Sequence, residues 1–206
     1  MLLSGDDLIV EIYILKTPIT MLIAQEKEKT NIAEYILYMW QIEDLVRFNA
    51  FDLDQIYDTI ISKFTVTDDV KAEMKLWYKN IVEQMLKQGI SEKGHLDYVN
   101  TRIEELNNLH NSLLTTLQDK DYQNQYIKTS ENIESLMQKA NNEAKNEVHA
   151  CLIGLYGFLV LKLKNEQIGE ATKEAINSFS GLLAILTNRY NKLQKGELTF
   201  SSEINN

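Results

Sequence analysis

The chain has 206 residues, 44% of them hydrophobic and 25% charged, so it is long enough and apolar enough to bury a core without disulfides. Its 30 acidic residues outnumber its 21 basic residues and give a formal charge of −9. An acidic surface repels phosphate backbones and anionic lipids, so we expect neither nucleic acid nor a membrane surface as a partner. Cys151 is the only cysteine, which excludes an internal disulfide.

The first twenty residues differ in pattern from the rest of the chain. They contain the alternating run LIVEIYIL, flanked by acidic residues, and they lack both the positive start and the continuous apolar stretch of a secretory signal. A helical pattern begins at Met21. We therefore expect Met21 to be the native start, residues 1–20 to be a non-native or disordered extension, and the protein to be cytoplasmic.

The remainder of the chain has the sequence pattern of α-helices. With one proline and 8 glycines, it lacks the frequent turn residues that sheet proteins need. Helical periodicity places helices at about 22–49, 52–64, 67–89, 96–117, 130–164 and 170–195. Asp52 is expected to cap the second of them, and Gly89 to end the third. The segment 131–164 is either one helix or two that break near Asn141. The pattern predicts an all-α, six- or seven-helix, mainly antiparallel bundle, formed by a single domain at 21–196 with a flexible tail at 197–206.

The first long helix carries two charges on its apolar side. Glu43 and Arg47 are four residues apart, a spacing at which a Glu followed by an Arg meets on one helix face. An unpaired buried charge is very costly, so these side chains must pair or reach water. The favoured interpretation is a structural ion pair. The alternative is a polar site in a cleft between helices, formed by Glu43, Arg47, Trp40 and His149.

The aromatic residues of these helices also allow two interpretations. They could line a ligand pocket, but aromatic stripes at helical spacing more often form a core, with the tyrosine hydroxyls at its rim. The core interpretation is favoured. The set comprises Tyr35, Tyr38, Trp40, Trp77 and Tyr78.

Familiar catalytic patterns are missing from the sequence. Three histidines and one cysteine supply few nucleophile–base pairs, and the single Glu-x-x-His, Glu92 to His95, spans Gly94 and has no second copy. There is no glycine-rich phosphate loop and no nucleophile elbow. His149 lies on an apolar stripe and is interpreted as a hydrogen-bonded core histidine. We predict no catalytic, cofactor-binding or metal-binding residues and no cofactor.

Two segments are distinctive. One starts at Met21 and reads MLIAQEKEKTNIAEYILYMWQIEDLVR, and the other, in the C-terminal half, includes EVHACLIGLYGFLVLKL. Both resemble an uncharacterised, all-helical family of domains of unknown function from Bacteroidetes, over about residues 21–195. The resemblance implies a helical fold and a bacterial origin, and it implies no activity, ligand or catalytic residue.

Two classes of function remain open. The first is a non-enzymatic cytoplasmic helical module that acts through protein–protein contacts, with an unknown protein partner or as a homodimer. The alternative is a small-molecule-binding protein or enzyme with an inter-helical pocket near Glu43 and Arg47. In the second case these side chains should border a solvent-connected cavity, whereas in the first they should pair with each other and with neighbouring helices.

Overall fold

The computed structural model of the protein describes residues 20–139 and 143–198, and within them the backbone forms eight α-helices and no strand. A short 3-10 helix, Ile61–Lys63, follows the third α-helix. The all-α fold is therefore confirmed, with eight helices rather than six or seven. The helices are α1 (Thr20–Thr30), α2 (Ile32–Phe48), α3 (Leu53–Thr59), α4 (Asp68–Lys87), α5 (Asp97–Leu114), α6 (Lys120–Lys139), α7 (Glu147–Leu163) and α8 (Glu170–Gln194).

Two of the predicted helical segments are divided. The segment 22–49 forms α1 and α2, which are separated at Asn31. Asparagine favours helix caps over helix interiors because its side chain competes for backbone hydrogen bonds. The segment 131–164 contains the end of α6 and the whole of α7, so it is two helices. The Asn146 side chain caps α7 by accepting a hydrogen bond from the backbone N–H of His149 at 2.8 Å.

Two other helix ends follow the predicted signals, whereas the start of α6 does not. The Asp52 carboxylate accepts hydrogen bonds from the backbone N–H groups of Asp54 and Gln55, at 2.8 and 3.1 Å, and so caps α3 as expected. Gly89 follows α4 with a φ of +68°, a left-handed conformation that glycine adopts without strain. Helix α6 begins at Lys120, earlier than predicted, because Asp119 accepts a hydrogen bond from the Tyr122 N–H at 3.0 Å.

The described residues divide into two compact units. The first unit contains residues 20–29 and 34–101, and the second contains 30–33, 102–139 and 143–198. That residues 21–196 form a single domain stays a prediction. The predicted extension 1–20 and tail 197–206 lie outside the described residues, apart from Thr20 and positions 197 and 198.

In the second unit, α6, α7 and α8 pack closely where small residues allow it. A Cβ added at Gly154 of α7 would lie 2.8 Å from the ring of Phe179, and one added at Gly181 of α8 would lie 2.8 Å from the amide nitrogen of Gln125. Close approach therefore explains both glycines in spite of their unfavourable helix propensity. At Gly157 of α7, by contrast, an added Cβ would meet nothing within 4 Å, so close packing does not explain this glycine.

Residues 150–163 are almost entirely apolar in sequence, which predicts a helix that its neighbours bury on all sides, but α7 is only partly buried. Ala150, Cys151 and Leu152 are fully buried, but every residue from Ile153 to Leu163 is half-buried or exposed. The reason is a groove between this half of α7, the C-terminal half of α6 and the N-terminal half of α8.

Within the described part of the chain, no helix is both long and apolar enough to cross a membrane.

Candidate functional site

The carboxylate of Glu43 is completely buried in the first unit. Its Oε1 accepts a hydrogen bond from the backbone N–H of Leu96 at 2.9 Å, and its Oε2 lies 2.6 Å from Nδ1 of His95. Leu96 directly precedes α5, so Glu43 satisfies one of the amides that a helix start leaves without an intrahelical partner. A side chain in the middle of α2 thereby fixes the beginning of α5.

The imidazole of His95 is also held by an aromatic ring. It stacks on the indole of Trp40, with ring centroids 4.4 Å apart and planes inclined by 16°. His95 retains 25% side-chain exposure, whereas Trp40 is fully buried. Stacking and the contact with Glu43 therefore fix the imidazole between α2 and solvent.

Arg47 binds the same α4–α5 loop at different atoms. Its guanidinium donates hydrogen bonds to the carbonyl oxygens of Ile90, at 3.3 and 3.4 Å, and of Gly94. It also forms an ion pair with Asp44 at 2.8 Å. Among the described residues, the predicted Glu43–Arg47 ion pair is thus replaced by two separate sets of contacts, because the loop presents a backbone N–H and His95 to the acid and carbonyl oxygens to the base.

His149, the remaining residue of the predicted polar site, belongs to the second unit. It is buried, and its Nδ1 accepts a hydrogen bond from the backbone N–H of Lys145 at 3.2 Å. This agrees with the interpretation of a hydrogen-bonded core histidine. Glu43, Arg47 and Trp40 therefore share one unit, whereas His149 makes its contacts in the other.

The second unit contains a buried cluster of hydrogen-bonded side chains around His110. Its Nδ1 lies 2.6 Å from the hydroxyl of Tyr122, and its Nε2 lies 3.0 Å from Oε2 of Glu147. The hydroxyl of Tyr126 donates to Oε1 of the same glutamate at 3.0 Å. These contacts connect α5, α6 and the first residue of α7.

The sequence analysis did not predict this cluster, although one residue, His110, indicated a buried polar group. His110 falls within the apolar stripe of α5, next to Leu109 and between Leu106 and Leu113 at helical spacing. A histidine in such a stripe needs hydrogen-bond partners when it is buried. Sequence alone could flag His110 in this way, but it could not supply Tyr122 or Glu147, which lie on other helices.

The pKa shifts of the groups in and beside this cluster favour a structural role. The hydrogen bond from His110 lowers the pKa of Glu147, while burial is the main cause that raises the pKa of Tyr126 to about 12. Burial also raises the pKa values of the Tyr122 phenol and the Cys151 thiol. A carboxylate, an imidazole and a phenol follow one another as in a nucleophile relay, but the Tyr122 phenol is fully buried and cannot meet a substrate.

Within residues 20–139 and 143–198, no group of three or more His, Cys, Asp or Glu side chains is placed to hold a metal ion. The polar clusters of both units consist instead of acid–base pairs and backbone contacts. Such clusters fix the relative positions of helices.

A cleft of about 260 Å³ opens in the first unit between α1, α2, α4 and the start of α5. Of the aromatic residues that the sequence singled out, Tyr35 and Trp77 line it, together with Tyr98. Tyr38, Trp40 and Tyr78 are buried in the core instead. Three of the five residues therefore lie in the core and two line the cleft, and a ligand pocket formed by this set stays a prediction.

The groove beside α7 in the second unit is larger, about 480 Å³, and mainly apolar. Phe158 and Leu161 of α7 and Phe179 of α8 are among the residues that line it, and Lys139 stands at the end of α6.

The described residues thus define an all-α protein of two helical units, each with a buried polar cluster and an open groove. The chain belongs to the family described as a domain of unknown function (DUF4924), whose sequence profile matches residues 21–197. This confirms the family resemblance of the segment that begins at Met21. No curated protein and no solved structure matches the chain.

Proposed function

We propose that the protein is a non-enzymatic, cytoplasmic helical module of bacterial origin that acts through protein–protein contacts, and that it associates with a second copy of itself through the α7 surface. We define the α7 surface as the half of α7 from Ile153 to Leu163 together with the adjoining groove. The observation that carries the proposal is the incomplete burial of this segment, since a helix that is apolar on all sides is normally covered on all sides.

The shape of the α7 surface suits a symmetric contact. In a two-fold dimer the same patch faces itself, so it must carry both a projection and a recess. Phe158 and Leu161 line the groove mouth, and Gly157 leaves open space next to them. One copy can therefore place its apolar side chains in the groove of the other.

The distribution of charge supports the same partner. A chain with a formal charge of −9 repels a second copy over most of its surface. From Ile153 to Leu163 the only charged residue is Lys162, whose ammonium lies over the ring of Phe158 at 4.5 Å from its centroid. This stretch has no acidic residue, so association there brings none of the chain's excess negative charge into the α7 part of the contact.

The size of the α7 surface indicates a weak dimer. The exposed half of α7 is roughly 16 Å long and 10 Å wide, well below the roughly 800 Å² that each partner buries in a standard interface. The groove walls from α6 and α8 must therefore contribute to the contact. We expect a dissociation constant in the micromolar range.

The contacts of Glu43 and Arg47 support this class of function over a ligand site at those residues. All the contacts described above for the two side chains are made to the protein itself, mostly to the α4–α5 loop. Such contacts serve the fold and leave little hydrogen-bonding capacity for a ligand.

Sedimentation equilibrium tests the proposal. The full chain is expected to approach twice the mass of one chain at concentrations well above this dissociation constant, and Leu161→Glu is expected to remain monomeric because it places a charge in the contact. Leu86→Glu on α4 is the matched control, since Leu86 is at least as exposed as Leu161 (52% against 39%) and lies in the first unit.

Two results would overturn the proposal. One is a full chain that stays monomeric throughout this concentration range. The other is equal dissociation of both variants, which would show that added negative charge, and not the α7 surface, controls association.

A further inference from the structure

The cleft of the first unit has an apolar floor and a polar rim. Its floor is formed by buried residues of α1, α2 and α4, among them Ala24, Met39 and Ile81. Its rim carries the amide side chains of exposed Gln25 and Gln84. A concave apolar site with a few polar groups at its mouth is the usual form of a small-molecule site.

Aromatic rings supply much of the wall. Tyr35 is almost completely buried, whereas Trp77 and Tyr98 are half-buried and reach the cleft from α4 and α5. The faces of such rings carry negative electrostatic potential and attract cations within about 6 Å. Three rings from three different helices around one cleft are more than a single helical stripe provides.

The charge around the cleft has one sign. Glu28 is the only carboxylate among the described residues that line it, and no Lys, Arg or His lines it. The pKa of the Tyr98 phenol is raised mainly by burial, with further contributions from the neighbouring Tyr35 phenol and from the carboxylates of Glu43 and Glu28. The cleft therefore disfavours anions and favours a positively charged guest.

From these rings and this carboxylate we infer that the cleft binds a small organic ammonium compound, with the cationic head against Tyr35, Trp77 and Tyr98 and near Glu28. Its volume of about 260 Å³ lies below the usual range for drug-sized ligands, so the guest is small. The amides of Gln25 and Gln84 are placed at the rim to bind a hydroxyl or carbonyl group of the same compound. This site is separate from the α7 surface, which belongs to the other unit.

The test uses choline as the probe and its neutral carbon analogue, 3,3-dimethylbutan-1-ol, as the matched control ligand. Binding to the full chain is followed by two-dimensional NMR. Choline is expected to bind with a dissociation constant of about 1 mM and to shift the indole N–H resonance of Trp77. The neutral alcohol, which has the same shape, is expected to bind about tenfold more weakly because it lacks the attraction between a cation and aromatic rings.

Substitutions identify the residues responsible. Glu28→Gln and Trp77→Leu are each expected to weaken choline binding about fivefold or more. Glu73→Gln on α4 removes one negative charge at an exposed position that does not line the cleft, so it should leave the affinity unchanged. Far-UV circular dichroism checks that each variant is folded, and the comparison of the two ligands on the unsubstituted chain does not depend on any variant.

Several outcomes would contradict the inference. Equal binding of choline and the neutral alcohol would show that the cleft does not select a cation. The absence of shifts at about 10 mM choline would exclude binding in the expected range. Equal weakening by Glu28→Gln and Glu73→Gln would assign the effect to net charge rather than to the cleft.

Discussion

A buried carboxylate is tolerated when its oxygens accept hydrogen bonds, and Glu43 has a partner for each oxygen. Both partners come from the residues that lead into α5, so one side chain joins two parts of the first unit that are distant in sequence. Arg47 contacts the same loop through the carbonyl oxygens of Ile90 and Gly94. Together the two residues hold the α4–α5 loop from both its donor and its acceptor groups.

We expect Glu43→Ala to lower the free energy of unfolding by about 3 kcal/mol. The substitution leaves the buried Leu96 amide without its acceptor and opens a cavity beside His95. Glu34→Ala is the matched control, because it removes the same side chain from the same helix at an exposed position, where Glu34 pairs with Lys27. Exposed pairs contribute less than about 1 kcal/mol, so urea unfolding should separate the two variants clearly.

Equal losses in the two variants would show that the contacts of Glu43 add no stability beyond those of a surface glutamate. If both variants keep a helical far-UV spectrum and only Glu43→Ala lowers the free energy of unfolding, the effect is due to the anchoring of the α4–α5 loop.

The limits of sequence reasoning also appear at the residue scale. Periodicity located Glu43 and Arg47 on the apolar side of a helix, and both side chains are largely buried in the structure. It paired them with each other because helix geometry is the only distance information in a single sequence. Apart from Asp44, which pairs with Arg47 on the same helix, their partners are 43 to 53 positions away, in a loop whose course depends on tertiary packing.

At the scale of helices, Asp119 combines two stabilising roles at the start of α6. It accepts a hydrogen bond from the Tyr122 N–H at 3.0 Å, and it forms an ion pair with Arg189 of α8 at 2.6 Å. The Arg189 hydrogen bond is the main cause that lowers the pKa of Asp119. The carboxylate therefore both caps α6 and ties it to α8.

We expect Asp119→Ala to destabilise the protein by about 1–2 kcal/mol at neutral pH, the sum of a lost cap and a partly exposed ion pair. Because the pKa is lowered in the folded state, this stability is present above the unfolded value of about 3.8 and is lost as the pH falls through the folded value. Urea unfolding at neutral pH and at about pH 3 should show the difference between the two proteins shrinking in acid.

The control for this measurement is Asp121→Ala. Asp121 is 81% exposed and 3.6 Å from Arg189, so its removal should change stability by less than about 0.5 kcal/mol. A destabilisation by Asp119→Ala that stays constant with pH would contradict a role for the ionised carboxylate.

Helix boundaries were predictable where a local signal existed. The Asp52 cap and Gly89 mark helix ends through their own backbone contacts, so the sequence located both. The break at Asn31 and the early start of α6 were missed, because their capping residues lie inside polar stretches that also suit a helix or a loop. The exposed half of α7 was also missed, since hydropathy reports which residues avoid water and not whether a neighbour covers them.

For the whole molecule, the family profile and the structure delimit nearly the same segment. The profile matches residues 21–197, and the described helices extend from Thr20 to Gln194. Only one residue of α1, Thr20, precedes the matched region, and helix ends contribute little to stability because they fray. We therefore expect the residues from Met21 onwards to be sufficient for folding.

A chain that starts at Met21 should consequently keep the Tm and the far-UV spectrum of the full chain. It should also keep its association through the α7 surface and its affinity for choline, because both sites consist of residues after Met21. Thermal unfolding of the two chains under identical conditions measures the difference. A lower Tm for the shorter chain would show that residues 1–20 pack against the helices, and it would overturn the expectation that they form a dispensable extension. An unchanged Tm with lost association would instead place those residues in the contact between copies.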